Sequence, residues 1–113
     1  MAKLYLRVDF GDRGAIGPGK ARLLELIASE GSIAAAGRAM GMSYRRAWEL
    51  VDELNQCFGR PVVTTHMGGR RGGGAGLTPL GRSIVEHYRA IEGDAQRAAA
   101  RHLRALSAAA RAS

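Results

Sequence analysis

A chain of 113 residues and 12.0 kDa has room for one hydrophobic core with an appended helix, and excludes two independent domains. Seventeen Lys and Arg against ten Asp and Glu give a formal charge of +7, and 15 of the cations are arginine. That balance attracts polyanions. The planar guanidinium fork suits phosphate and guanine better than a membrane surface, which calls for basic residues along one strongly amphipathic helix, although an arginine and alanine bias by itself also fits a GC-rich genome.

No apolar run approaches the roughly 18 residues of a membrane span, and Met1 to Arg7 lack the apolar core of a signal peptide. A soluble, cytoplasmic protein without a membrane partner is expected. Cys57, the single cysteine, cannot form an internal disulfide and lies among apolar residues, as an inert buried thiol does.

Leu4, Leu6, Val8 and Phe10 alternate with Tyr5, Arg7 and Asp9, a period of two that predicts an edge strand over 3–10 ahead of a turn region from Gly11 to Gly19. Pro18 suits the first turn of a helix, and Leu23, Leu24, Ile27 and Ala28 make one apolar face before Gly31 ends it. Two short helical segments follow over 32–58, hinged at Gly41-Met42-Ser43. Ser32 caps the first, whose inner side is Ile33, Ala36, Gly37 and Met40, and the small residues at 36 and 37 admit a close neighbour. Gly41 offers the positive φ that a tight turn between helices needs.

Ser43 caps the second segment, which runs to about Phe58. At 100° per residue Ala47, Leu50, Val51, Leu54 and Phe58 share one side, while Arg45, Glu49, Asp52 and Gln56 point the other way. Gly59-Arg60-Pro61 breaks the helix, and Val62 to Thr65 with a return near Ala75 to Leu77 make a hairpin wing over 62–77. Thr78-Pro79 opens a last helix in which Leu80, Ile84, Tyr88, Ile91 and Ala95 recur at steps of three or four. Its alanine-rich second half has high helix propensity but little to bury, so the last ten residues are expected to fray.

This order predicts a mainly α fold with a small β-sheet (α+β): a winged helix-turn-helix over 1–78, followed by a long C-terminal helix over 79–113. Double-stranded DNA is the expected partner. Arg45 and Arg46, in the first turn of the recognition helix, are placed to reach guanine or phosphate. Two cations at a helix N-terminus also oppose the macrodipole, which a phosphate would reverse. Ser32, Ser43 and Tyr44 either donate to the DNA backbone or serve as caps and packing groups. Trp48 borders the apolar face, where core packing is favoured over contact with a sugar or a thymine methyl. Arg70, Arg71 and Gly72 lie in a run with six glycines between Gly68 and Gly76, a basic wing suited to a minor groove or a phosphate strand.

Other chemistries find less support. The Gly-rich run lacks a Gly-Lys-Ser/Thr ending and separates two strands, unlike a phosphate-binding loop. His66, His87 and His102 are widely spaced and suggest no metal site. Asp52 and Glu53 point to different sides of their helix, and no nucleophile has a nearby histidine, so neither an enzyme nor a cofactor is expected. A protein-interaction module and a nonspecific architectural DNA binder remain as rivals.

Gly31-Ser32-Ile33, Gly41-Met42-Ser43-Tyr44-Arg45, Ala47-Trp48, Glu53-Leu54-Asn55, Gly68-Gly69, Gly72-Gly73-Gly74-Ala75 and Leu77-Thr78 with Gly81 resemble, in order, the motif positions of the N-terminal DNA-binding domain of the ModE family. That domain is itself similar to the winged domain of LysR-type regulators. The resemblance covers about residues 18–95. It implies a transcriptional regulator acting as a homodimer on a palindromic site, in a molybdenum-related context. Leu80, Ile84, Tyr88 and Ile91 are then the expected dimer seam, with half-sites about one helical turn apart, roughly 34 Å, or a multiple of it. Full-length ModE proteins continue into molybdate-binding domains, whereas this sequence stops at Ser113, so molybdate sensing is not carried over and the effector is left unknown.

Overall fold

The computed structural model describes residues 2–66 and 74–112, the side chain of residue 112 excepted. A two-residue ladder comes first, with β1 (Val8–Asp9) antiparallel to β2 (Ala15–Ile16). The Asp9 carboxylate accepts from the Gly11 N–H at 2.7 Å and so closes the intervening turn. The strand predicted over 3–10 is therefore confined to Val8–Asp9, because its partner ends where Gly17-Pro18 starts a helix. The alternation at Leu4 to Arg7 records a half-buried face, not a ladder. The carbonyl of Leu6 is instead bonded by the Tyr88 hydroxyl. Phe10, expected inside, stays partly exposed and meets Phe58 edge to face at 5.4 Å.

Helix α1 (Pro18–Glu30) carries Ala21, Leu23, Leu24 and Ile27 fully into the core. Leu26 joins them, and Ala28 faces solvent. Gly31 ends the helix at φ 75°, its N–H donating to the carbonyl of Ile27, a conformation that glycine adopts without steric penalty. Helices α2 (Ile33–Ala39) and α3 (Tyr44–Phe58) follow, with Gly41 at φ 71° in the turn.

Gly37 is where α2 and α3 come close. A Cβ built there would lie 3.2 Å from the Ala47 Cβ, so the small residues at both positions set how closely the two helices pack. Ala47, Val51, Leu54 and Cys57 are the buried side of α3, and Leu50 and Phe58 are half-buried.

Strands β3 (Val63–His66) and β4 (Gly74–Leu77) form the antiparallel wing, in the register Val63↔Leu77 to His66↔Gly74. Backbone bonds tie its base to the helices. The Ala75 N–H donates to Gly31 O at 2.8 Å, the Thr78 N–H to Val62 O at 3.0 Å, and the Val62 N–H to the Asn55 side chain at 2.9 Å. Thr78 caps α4 (Pro79–Ala98) by accepting from the Gly81 N–H at 3.0 Å while its hydroxyl donates to Pro61 O at 2.9 Å. A Cβ at Gly81 would stand 2.1 Å from the Val62 carbonyl oxygen. Only glycine lets the helix and the wing base meet this closely.

The long C-terminal helix predicted as one piece is divided at Ala99 (φ −92°, ψ 0°) into α4 and α5 (Ala100–Ala112). Ala99 still donates to Ala95 O and accepts from Leu103 N–H, so the interruption is one residue long. Helix is present through Ala112.

Arg89 on α4 grips Glu25 on α1 through two bonds, Nε to Oε2 at 3.1 Å and Nη2 to Oε1 at 2.8 Å, and also donates to Glu92 at 2.6 Å. The bonded guanidinium holds the Glu25 carboxyl below its ordinary value, and the two carboxylates raise Arg89 in turn. This fork joins the last helix to the first.

Candidate nucleic-acid interface

Of the sequence-predicted contacts, Ser43, Tyr44, Arg45, Arg46 and Trp48 lie at the N-terminal end of α3. Ser43 is extended (φ −68°, ψ 158°), and its hydroxyl oxygen accepts from the Arg46 N–H at 3.0 Å. The helix therefore starts at Tyr44, and the next three side chains fan outward. Tyr44 is 57% exposed, and the Arg45 side chain is 90% exposed. Tyr44 stacks edge to face on Trp48, ring centres 6.3 Å apart. Trp48 is half-buried against the core, so it supports Tyr44 from behind, consistent with the packing role favoured for it.

Ser32 holds the equivalent place on α2, its hydroxyl accepting from the Ala35 N–H at 2.9 Å. Both serines act as caps. Their oxygens are occupied as acceptors, which leaves each hydroxyl proton to donate elsewhere.

Arg45 and Arg46 do not face the positive end of the α3 dipole uncompensated, as the sequence alone suggests. Glu49 stands one turn on, with Oε2 3.5 Å from Arg45 Nε and Oε1 3.3 Å from Arg46 Nη1, so the cations are compensated inside the helix. The spacing of Arg45 and Arg46 to Glu49, four and three residues, was the signal for these pairs. Arg70, Arg71 and Gly72, the remaining predicted contacts, lie outside the described residues.

The expected dimer stripe divides in two. Tyr88, at 2% exposure, and Ile84, at 9%, belong to the core of the single chain. Burial raises the Tyr88 phenol above its ordinary value. Leu80 is half-buried, and Ile91 is 45% exposed. Those two side chains, with Val8, Phe10, Phe58 and His87, rim a shallow apolar groove of about 270 Å³. The helical period alone could not separate the residues α4 gives to its own core from those it leaves outside, since all four recur on one side of the wheel.

Among the described residues no cluster of His, Cys, Asp and Glu has the arrangement of a metal site, and no helix is long and apolar enough to cross a membrane.

A family model described as bacterial regulatory helix-turn-helix protein, lysR family, matches residues 19–82, from the start of α1 to the first turn of α4. The chain belongs to that family. The LysR-type match contains the whole helix-turn-helix and wing. The Azotobacter vinelandii protein named molybdenum transport protein ModE is 42% identical over 92 residues, which are 81% of this chain and 33% of that protein. The molybdenum-pterin-binding protein MopB of Rhodobacter capsulatus is 46% identical over 77 residues, 68% of this chain and 28% of its own length. The DNA-binding transcriptional dual regulator ModE of Escherichia coli K12 is 33% identical over 87 residues, with coverages of 77% and 33%. The chain thus spans about a third of the length of these curated relatives. Among solved structures, the CbnR DNA-binding domain in its DNA complex superposes with a TM-score of 0.58 at 24% identity, covering 79% of this chain and 95% of that one. That likeness establishes the winged-helix fold of this LysR-type domain.

Proposed function

We propose that this chain is a sequence-specific DNA-binding transcriptional regulator that acts as a homodimer on a palindromic site, in molybdenum-related regulation. The observation that carries the reading is the two-sided α3. Its inner face is locked into the core at Ala47, Val51 and Leu54, while Tyr44, Arg45 and Arg46 project from its first turn. The names of the ModE relatives support both the DNA and the molybdenum parts.

In this reading α3 enters a major groove and Arg45 and Arg46 donate to guanine O6 and N7 or to flanking phosphates. Ser32, Ser43 and Tyr44 donate to the DNA backbone, and Arg70, Arg71 and Gly72 follow an adjacent groove. Leu80 and Ile91, with the groove beside them, form the seam between protomers, while Ile84 and Tyr88 hold α4 in place behind it. One recognition helix offers too few base contacts for tight specific binding, and pairing two on one duplex multiplies the discrimination.

The test is selection of a binding site from random duplexes, followed by affinity and stoichiometry at about 150 mM salt. Two subunits bound per selected site, at least about 10³-fold tighter than on scrambled duplex, is the expected result. Weak and equal binding to both would move the protein to nonspecific DNA binding or protein docking.

A further inference from the structure

The outward face of α3 is less positive than its arginines suggest. Glu49 divides its carboxylate between Arg45 and Arg46, at 3.5 and 3.3 Å. One turn on, Glu53 takes the same Arg46 Nη1 at 3.7 Å and Lys20 Nζ of α1 at 3.0 Å. Three cations and two carboxylates make one chain of charge across the face, with a net of three minus two, or +1. Glu49 and Glu53 are about half exposed, and exposed pairs contribute little to stability. Their placement matters for what approaches from outside.

A phosphate that docks on Arg45 or Arg46 carries its charge toward the carboxylate of Glu49 and must displace it or be repelled by it. A base edge differs in kind. Guanine O6 and N7 are neutral acceptors, so an arginine can hold a carboxylate with one side of its fork and donate to the base with the other, and a glutamate can itself accept from cytosine N4.

Resting on the proposed DNA-binding role, we propose that Glu49, backed by Glu53, is a specificity-determining residue. It weakens phosphate-only contacts of the recognition helix more than base contacts, and so widens the interval between specific and nonspecific binding.

The experiment measures wild type, Glu49→Gln and Asp52→Asn on a duplex selected from random sequence and on its scrambled counterpart, over a range of salt. Asp52 is exposed on the same face of the helix and makes no ion pair with Arg45 or Arg46 among the described residues, so Asp52→Asn reports the loss of one carboxylate from that face with the Arg45–Glu49–Arg46 pairs left intact. The expected result is scrambled binding tightened about threefold to tenfold by Glu49→Gln with selected-site binding unchanged or weaker. Asp52→Asn should move both duplexes by one smaller factor. In an Arg45→Ala, Arg46→Ala background the effect of Glu49→Gln on scrambled duplex should disappear. Equal tightening of both duplexes by Glu49→Gln, or no change on either, would overturn the proposal. Failure of wild type to discriminate between the duplexes would overturn the sequence-specific reading on which the proposal rests, a separate outcome visible before any variant is made.

Discussion

Ala47, Val51 and Leu54 of α3 are sealed between neighbouring helices, whereas Tyr44, Arg45 and Arg46 on the same helix contact mainly solvent and each other's counter-ions. Packing governs the first set, with the missing Cβ of Gly37 and the single methyl of Ala47 fixing how near α2 lies. Among the described residues the second set is held only by the Glu49 and Glu53 ion pairs and by the stacking of Tyr44 on Trp48, all at the surface. The contrast teaches that stability and recognition are separable along one helix. A change on the inner side should move the folding equilibrium. One on the outer side should move affinity and leave folding almost untouched.

The largest effect expected from breaking the inner region is at Gly81. Gly81→Ala drives a methyl into the Val62 carbonyl oxygen and should cost about 3 kcal/mol or more, read by urea denaturation. A wild-type midpoint would show that the wing base shifts freely. Next in size is Tyr88→Phe, which leaves the Leu6 carbonyl without its hydroxyl donor and should cost about 1 kcal/mol. DNA affinity of the folded protein should not change, and a selective loss of affinity would place Tyr88 on the recognition side of the comparison.

The smallest effect is at Glu25. Its carboxyl is held below the ordinary 4.5 chiefly by the Arg89 bond, so the ionised state is favoured in the folded chain. That stability is fully present above about pH 4.5 and is lost as pH falls through the lowered folded value. Both side chains are about a third exposed, which limits the contribution to roughly 1 kcal/mol or less. Glu25→Gln should therefore lower stability slightly at pH 7 and flatten the acid limb below about pH 4.5. An acid limb as steep as in wild type would exclude Glu25 from the linkage.

The helix-turn-helix was legible because its signals are local. Ser32, Gly41 and Ser43 mark the caps and turn, and the apolar period of α3 marks its inner face. Thr78-Pro79 likewise announced α4. The short β1–β2 ladder was less legible: Ala15–Ile16 lies inside a stretch of glycines that reads as a turn, and its pairing with Val8–Asp9 is a tertiary fact. The division of Leu80, Ile84, Tyr88 and Ile91 into core and surface depended on where α1 and the N-terminal segment end against α4. The Glu49 pairs are legible in the spacing, since Arg45 and Arg46 stand four and three residues before Glu49 on one helix.

The separation of roles is tested most directly by Arg45→Ala against Arg70→Ala, each measured on selected and scrambled duplex over a salt series. Arg45→Ala should cost about 1 to 3 kcal/mol on the selected site and relax base preference there, with a much smaller loss on scrambled DNA. Arg70→Ala should weaken both duplexes alike and reduce the salt slope by about one. Equal losses on both duplexes for both variants would contradict a recognition helix that reads bases beside a wing that holds the backbone.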